Sequence, residues 1–325
     1  MTSESEVPTA PRPPTIGVAV ITYRARAHLQ RCLPPLLGSP LRPRVLVVNS
    51  SSNDGTVELA QELGAETMVI ERQEFNHGLT REAARKRLAT DIVVMLTPDA
   101  YATDTGFLER LVLPIIAGRA AVSYGRQVAA EDADLLARFA RDFNYPSEGQ
   151  LRSLADWPAF GSYTHFCSNA CAAWSNVALD RIGGFTATLV SEETIAVAKL
   201  LAAGERIAYV ADAVVLHSHP TSLLESFKRQ FDIGWTRQTF RELLLARERD
   251  EVRGRVYVRA LLNRALHEHP VLLPWAIADT IMKLLGYRLG RMGTRLPEAL
   301  TRRLSGQDFF WSSPARNSVG TLARP

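Results

Sequence analysis

Through the first half of the chain, unbroken apolar runs alternate with stretches of helical period. The runs Ile16 to Tyr23, Arg44 to Asn49 and Asp91 to Leu96 each hold at least four consecutive apolar residues. Runs of this length, bounded by polar or turn residues, read as strands buried on both faces. Between them, apolar positions recur every three to four residues over Ala25–Leu37, Val57–Leu63, Leu79–Leu88 and Gly106–Ile116, which predicts helices. Glu66–Glu71 and Ala120–Val128 complete the predicted strands. Asn53-Asp54-Gly55-Thr56 reads as a turn that offers Asp54 or Thr56 as an N-cap, and Gly64 fits the end of the helix that follows. Strands alternating with helices of this size predict an α/β fold with a mainly parallel sheet and right-handed crossovers.

Further on, Ser168–Trp174 reads as a strand of small residues, and Ile195–Ala203 as a helix with Ser191 as its N-cap. A long helix starts at Phe227. From about Arg237 the pattern changes. Arg241, Arg247, Arg253, Arg255 and Arg259 alternate with Leu and Val at helical spacing. The expected organisation is a polar, Pro-rich lead-in over residues 1–14, an α/β domain over 15–236, and a basic amphipathic helical extension over 237–325.

Composition changes this picture little. An apolar fraction of 46% and a charged fraction of 22% are those of an ordinary globular protein, and the net charge is only +4. Cys32, Cys167 and Cys171 form no CxxC pair and no disulfide framework, which suits a reducing cytoplasm. The start of the chain has no apolar segment of the signal-peptide kind, and no run approaches 18 apolar residues. A basic protein that holds nucleic acid should show one continuous basic face with aromatics across its sheet, and no such pattern is legible.

Candidate chemistry begins at Asp99, just past the buried run ending at Leu96. In an open α/β sheet the carboxyl ends of strands present the ligand-binding groups. Asp99 is therefore either a metal ligand or a turn residue beside Pro98. Neither GxGxxG nor GxxxxGK[ST] occurs, so a diphosphate would need a cation or basic side chains to offset its charge. His217 and His219 stand at i and i+2 on an extended segment and share a face, as metal ligands would. Alternatively, one caps the strand and the other is solvated.

The segments VAVITYR, VVNSSSNDGT, EFNHGLTRE and LTPDA, in this order, resemble the inverting nucleotide-sugar glycosyltransferases of family 2, which have the GT-A fold. EFNHG, GRQ, FNYP, SNACAAW and FKRQFDIG are similar to segments of the bacterial rhamnosyltransferases that build surface polysaccharide. The likeness implies a divalent cation (Mg²⁺ or Mn²⁺) held at Asp99, with His217 or His219 as a further ligand. Family members with a DxD motif offer two acids where this chain has Thr97-Pro98-Asp99. The family's Glu-Asp pair matches Glu192-Glu193, which puts the general base at Glu193 and leaves Glu192 as the alternative. Acids in a first helical turn also favour the helix dipole with no further role.

The resemblance also implies that Thr22, Tyr23 and Arg24 cradle the base and ribose. Asn49, at a position usually Asp, would hydrogen-bond the base, and Asp54 would contact the nucleotide. His77, Arg81 and Arg229 would reach the diphosphate or sugar. Each has a local alternative: Asp54 as a turn residue, Arg81 as part of a solvated basic run, and Arg229 on a helix that buries Phe227 and Phe231. Trp174 and Trp235 either wall the acceptor site or pack in the core. The implied donor is dTDP-L-rhamnose and the implied acceptor a saccharide, carried on a polyprenyl lipid. The basic helical extension then either contacts the inner membrane surface or forms an Arg-rich outer face or a homodimer seam. Two other functions fit the fold class: nucleotidyl transfer making an activated sugar, and non-enzymatic binding by a basic protein.

Overall fold

A computed structural model describes residues 12–218, 222–246, 251–314, 316 and 319. The chain runs through β1 (Ile16–Thr22), α1 (Arg26–Leu37), β2 (Arg44–Asn49), α2 (Thr56–Glu62), β3 (Glu66–Val69) and α3 (His77–Leu88). It continues with β4 (Ile92–Leu96), β5 (Tyr101–Ala102), α4 (Phe107–Ile116), β6 (Val122–Val128), α5 (Leu135–Asn144), β7 (Gln150–Arg152) and α6 (Trp157–Phe160). Then come β8 (Cys171–Ser175), α7 (Asn176–Arg181), α8 (Glu192–Ala202), β9 (Ile207–Leu216) and α9 (Leu223–Thr239). Helices α10 (Arg241–Leu244), α11 (Glu251–Glu268), α12 (Leu273–Met292), α13 (Glu298–Leu304) and α14 (Asp308–Ser312) follow.

The strands form one sheet in the order β3-β2-β1-β4-β8-β6-β9-β5, with β7 also on β9. β1 to β4, β6 and β9 point one way, so the sheet is mainly parallel, as the pattern predicts; β8 runs against both of its neighbours. The buried runs explain the layers. Along β1, Val18 and Val20 face one core with Leu29, Leu33 and Leu36 of α1 and Leu108 and Leu111 of α4. Ala19 and Ile21 face the other, with Ala84 and Leu88 of α3 and Val197 and Leu200 of α8. Alternation along a strand thus covers both faces.

Local polar chemistry moves several element starts from where apolar spacing puts them. α3 starts two residues before Leu79, because the Asn76 side chain accepts the amides of Gly78 and Leu79. A Ser222–Glu225 capping box starts α9 ahead of Phe227. Neither Asp54 nor Thr56 caps α2. The Thr56 hydroxyl donates to Asp54 and accepts the Ala25 amide, and Gly55 takes the N-cap position in a left-handed conformation. Ser191 does occupy the N-cap position of α8, yet at φ 64° its side chain makes no capping bond. The strand expected from Ser168 begins at Cys171, since residues 168–171 turn back on themselves through Cys171 N to Ser168 O, 3.0 Å.

The C-terminal helices wrap this core. α12 lies along α9 at glycine distance. Gly286 rests on the Phe227 carbonyl and Gly290 on that of Phe231, while Gly234 lies under Tyr287, so a Cβ at any of the three would enter a backbone carbonyl. Ser226 donates to the buried Asp279 at 2.6 Å, and Lys283 pairs with the same carboxylate at 2.7 Å. Among the described residues no helix is long and apolar enough to cross a membrane. Gly290→Ala is expected to force α12 off α9 and lower the melting temperature, by overpacking of about 1–3 kcal/mol. Gly254→Ala, on α11 with open space around it, should raise stability by about 0.5–1 kcal/mol in the same thermal scan.

Candidate active site

Strand direction decides which residues meet. The carboxyl ends of β1, β2, β4, β6 and β9 lie on one rim of the sheet, and β8, being reversed, brings its amino end there. The register Leu96↔Cys171 sets residues 168–170 beside the segment that leads to Asp99, and Thr97 N donates to Ala170 O. The register Val128↔Leu216 sets His217 beside the end of β6. Two clusters result, one at Asp99 and one at Glu192.

At the first cluster, His217 Nε2 lies 3.4 Å from Asp99 Oδ1. Its Nδ1 is 2.8 Å from Gln127 Oε1, and the Gln127 amide is oriented by donating Nε2 to Ser168 Oγ at 2.9 Å. This shorter contact puts the ring proton on Nδ1, although Arg141 also approaches that nitrogen at 3.3 Å. Nε2 is then the basic nitrogen, turned toward the carboxylate, which is how metal-ligating histidines are held. Arg141 Nε donates to the His217 carbonyl at 2.7 Å. Burial lowers the pKa of Arg141, as does the charge of neighbouring Arg229, while Asp99 raises it. The Arg141 guanidinium therefore stands near Asp99, and Arg229 lies near Arg141. Among the described residues no group of three or more His, Cys, Asp and Glu gathers as a metal cluster. One carboxylate and one imidazole fit a divalent cation that takes its other ligands from water and phosphate. His219 lies outside the described residues.

The second cluster buries a charge. Glu192, only 3% exposed, pairs with Arg81 at 3.1 Å and accepts from Asn169 Nδ2 at 2.9 Å. Burial pushes its pKa up, but Arg81, then His77 and the Asn169 bond, outweigh this and hold it below the usual carboxylate range. Glu193 has the opposite fate. It remains partly exposed, and burial together with the charge of Glu192 raises its pKa well above that range. Adjacent carboxyls on one helix thus differ in protonation because only one of them has a guanidinium partner. Burial lowers the pKa of His77, whose carbonyl accepts from Arg81 at 3.1 Å.

Residues 168 and 169 join the two clusters. Ser168 holds Gln127, which holds His217; Asn169 holds Glu192 and accepts the Trp174 indole N–H at 2.9 Å. From the other end of the chain, Gln307 Oε1 meets His77 Nε2 at 3.3 Å, and Phe309 packs edge-on to Phe75. Asp232 of α9 anchors that segment by accepting the Gly306 amide at 3.0 Å. No local pattern in the sequence points to Gln127, Arg141, Asn169 or Gln307. Gln127 and Asn169 do stand inside the GRQ and SNACAAW segments, so their motifs were visible and their partners were not.

The profile of Glycosyl transferase family 2 matches residues 17–183, just over half of the chain. The chain belongs to glycosyltransferase family 2. It is 32% identical to the O-antigen chain rhamnosyltransferase RfbN of Salmonella typhimurium over 92% of this chain and 96% of that protein. Against WbaN of Salmonella anatum, also an O-antigen chain rhamnosyltransferase, identity is 32% over 83% and 86%. The fold is similar to that of mannosyltransferase PcManGT from Pyrobaculum calidifontis, solved with GDP-Man and Mn²⁺. The TM-score is 0.53 at 14% identity, covering 98% of this chain and 88% of that one. It is also similar to S. aureus TarS 1-349 in complex with UDP-GlcNAc, at TM-score 0.52 and 14% identity over 86% and 91%. The chain is thus a glycosyltransferase of GT-A architecture, which sets aside the nucleotidyltransferase and binding-protein readings.

In this glycosyltransferase, several residues expected at the donor are committed elsewhere. Asn49 is fully buried, donating to Ser52 and Thr22 and accepting the Ser52 amide at 2.8 Å, so it shapes the turn after β2. Thr22 is buried and donates to the Val48 carbonyl. Burial works against the charge of Asp54, but bonds from Thr56, Ser52 and the Arg26 amide hold its pKa down, at about 2. Tyr23 and Arg24 are exposed at the rim, with Arg72 stacked on the Tyr23 ring at 3.9 Å. Arg229 is exposed on α9. Arg81 is buried in its ion pair, not solvated.

Both tryptophans pack. Trp174 is 0% exposed beneath Asn169, which removes it from any acceptor surface, and Trp235 packs edge-on to Phe310 and Trp311. Arg81→Met would leave Glu192 charged without a cationic partner, so it should cost about 3–5 kcal/mol in urea denaturation. The double variant Arg81→Met/Glu192→Gln should recover most of that loss.

Proposed function

We propose that this family 2 enzyme transfers L-rhamnose, with inversion, from dTDP-L-rhamnose to a saccharide acceptor carried on a lipid at the inner face of the cell membrane. The observation that carries the reading is the Ser168–Asn169 bridge, which links the Asp99–His217 pair and the Glu192–Glu193 pair on one rim. The named rhamnosyltransferase relatives support the sugar, and the nucleotide sugars bound by the fold neighbours support a nucleoside diphosphate donor.

Asp99 and His217 would hold the divalent cation, which when bound offsets the charge that grows on the departing diphosphate. Arg141, near Asp99, and its neighbour Arg229 add fixed positive charge for the same phosphates. Tyr23, exposed between Arg24 and Arg72, offers a ring to the nucleoside. On the acidic side, Glu193 takes the proton of the acceptor hydroxyl while that oxygen forms its bond to the anomeric carbon. The bond from that carbon to the diphosphate oxygen breaks on the opposite face, which gives inversion. Glu192 stays ionised in its pair with Arg81, and its charge keeps Glu193 a stronger base than an ordinary glutamate.

Asp99→Asn should abolish transfer without altering the folded circular dichroism spectrum; activity near wild type would remove the cation role. Glu193→Gln should stop transfer yet leave donor binding by calorimetry within about twofold of wild type. The transfer rate should fall with falling pH through an apparent pKa well above the ordinary Glu value of about 4.3. The sign follows from a base that must be deprotonated and whose pKa the fold raises. A pH-rate profile with its acid limb at the ordinary value would argue against Glu193.

A further inference from the structure

Helix α12 is amphipathic in the reverse sense. Its inner face, with Ala276, Asp279, Gly286 and Gly290, is buried on α9. Its outer face carries Ile277, Ile281, Leu284, Leu285 and Met292, all exposed. Their spacing of i, i+4, i+7, i+8 and i+15 lines up one stripe. An amphipathic helix of a globular protein normally turns that stripe inward. Here the close approach to α9 takes the glycines, which leaves the apolar residues facing out. At the amino end of the helix, Val271 in the turn joining α11 to α12 is 89% exposed, and Trp275 in the first turn of α12 is 45% exposed.

Charge is segregated onto the same region. Residues 251–304 hold ten Arg and Lys against four Asp and Glu, an excess larger than the +4 of the whole chain, so the remainder is net acidic. Three of those acids are neutralised locally: Asp279 by Lys283, Glu268 by Arg264 and Glu298 by Arg316. Arg255 and Arg259 are exposed among Val252 and Val256 on α11, and Arg288 is exposed within the α12 stripe, at i+7 from Ile281. An exposed apolar stripe interspersed with arginine, with an exposed tryptophan in the same helix, has the chemistry of the interface of an anionic bilayer. A second copy docked on this face would instead set two arginine-rich surfaces against each other.

We propose that the α11–α12 hairpin is a peripheral docking surface for an anionic lipid bilayer. Val271, Trp275 and the α12 stripe enter the headgroup boundary, while Arg255, Arg259 and Arg288 meet lipid phosphates. The lipid-linked acceptor reading supplies only its purpose; the surface stands on its own apolar and charge pattern.

The test is co-sedimentation of the full chain with extruded vesicles of phosphatidylglycerol and phosphatidylcholine, against pure phosphatidylcholine. The double variants are Val271→Glu/Trp275→Glu and Ile281→Glu/Leu285→Glu, all at exposed positions. The wild type should bind the anionic vesicles far better than the neutral ones and release at high salt. Each double variant should bind about tenfold or more weakly, while keeping the wild-type melting temperature and wild-type donor hydrolysis in lipid-free solution. Indifference of the wild type to anionic vesicles, or undiminished binding by both variants, would overturn the proposal. So would a lipid-free dimer in light scattering that Ile281→Glu/Leu285→Glu converts to monomer, since the face would then belong to a second copy. Donor hydrolysis by the wild type reports separately on the transfer reading.

Discussion

Two adjacent carboxyl groups at the start of α8 sit where the fold can solvate only one charge, and much of the surrounding structure answers that constraint. Glu192 is ionised because Arg81 reaches it from α3 and Asn169 from the turn before β8. Each of those residues needs support. Arg81 is aimed by a helix whose start Asn76 fixes, and Asn169 is held from below by Trp174. Once Glu192 is charged, Glu193 cannot easily be, and a carboxyl that resists ionisation is a stronger base when it does ionise. The ion pair is thus as much a device for tuning its neighbour as a contribution to stability.

Topology brings this device to the same rim as Asp99 and His217. Inserting β8 in reverse between β4 and β6 brings a turn, in place of a strand end, to the ligand-binding rim. That turn supplies two consecutive side chains, Ser168 and Asn169, which hydrogen-bond in opposite directions. An all-parallel order would have left Asp99 and Glu192 without a common support. The C-terminal segment adds a further tie, since Gln307 reaches His77 and Gly306 is anchored on Asp232. Residues beyond the matched family region therefore help to build the site.

Much of the sheet was legible because burial on both faces writes itself as apolar runs. Asp99, His217 and the glutamate pair were legible because strand ends and helix starts are where such residues gather. Side-chain partners were not. The bond from Asn169 to Glu192 spans 23 residues, that from His217 to Gln127 spans 90, and that from His77 to Gln307 spans 230. No local pattern encodes such pairings. Asn49 shows the converse limit: its position at a strand end suggested a ligand, but its amide is consumed by the turn it closes. The two tryptophans were open between core and acceptor for the same reason, and packing took both. Helix starts shifted wherever a polar cap lay ahead of the apolar period, as at Asn76 and Ser222.

Whether the two clusters form one active site depends on where a bound donor lies relative to them. A crystal structure with Mn²⁺ and a nonhydrolysable dTDP-sugar, with anomalous scattering recorded for manganese, measures this directly. The expected result is an anomalous peak between Asp99 and His217 Nε2, the diphosphate toward Arg141 and Arg229, and the sugar's anomeric carbon turned toward Glu193. Manganese bound away from Asp99, or a sugar turned away from the glutamate pair, would contradict it.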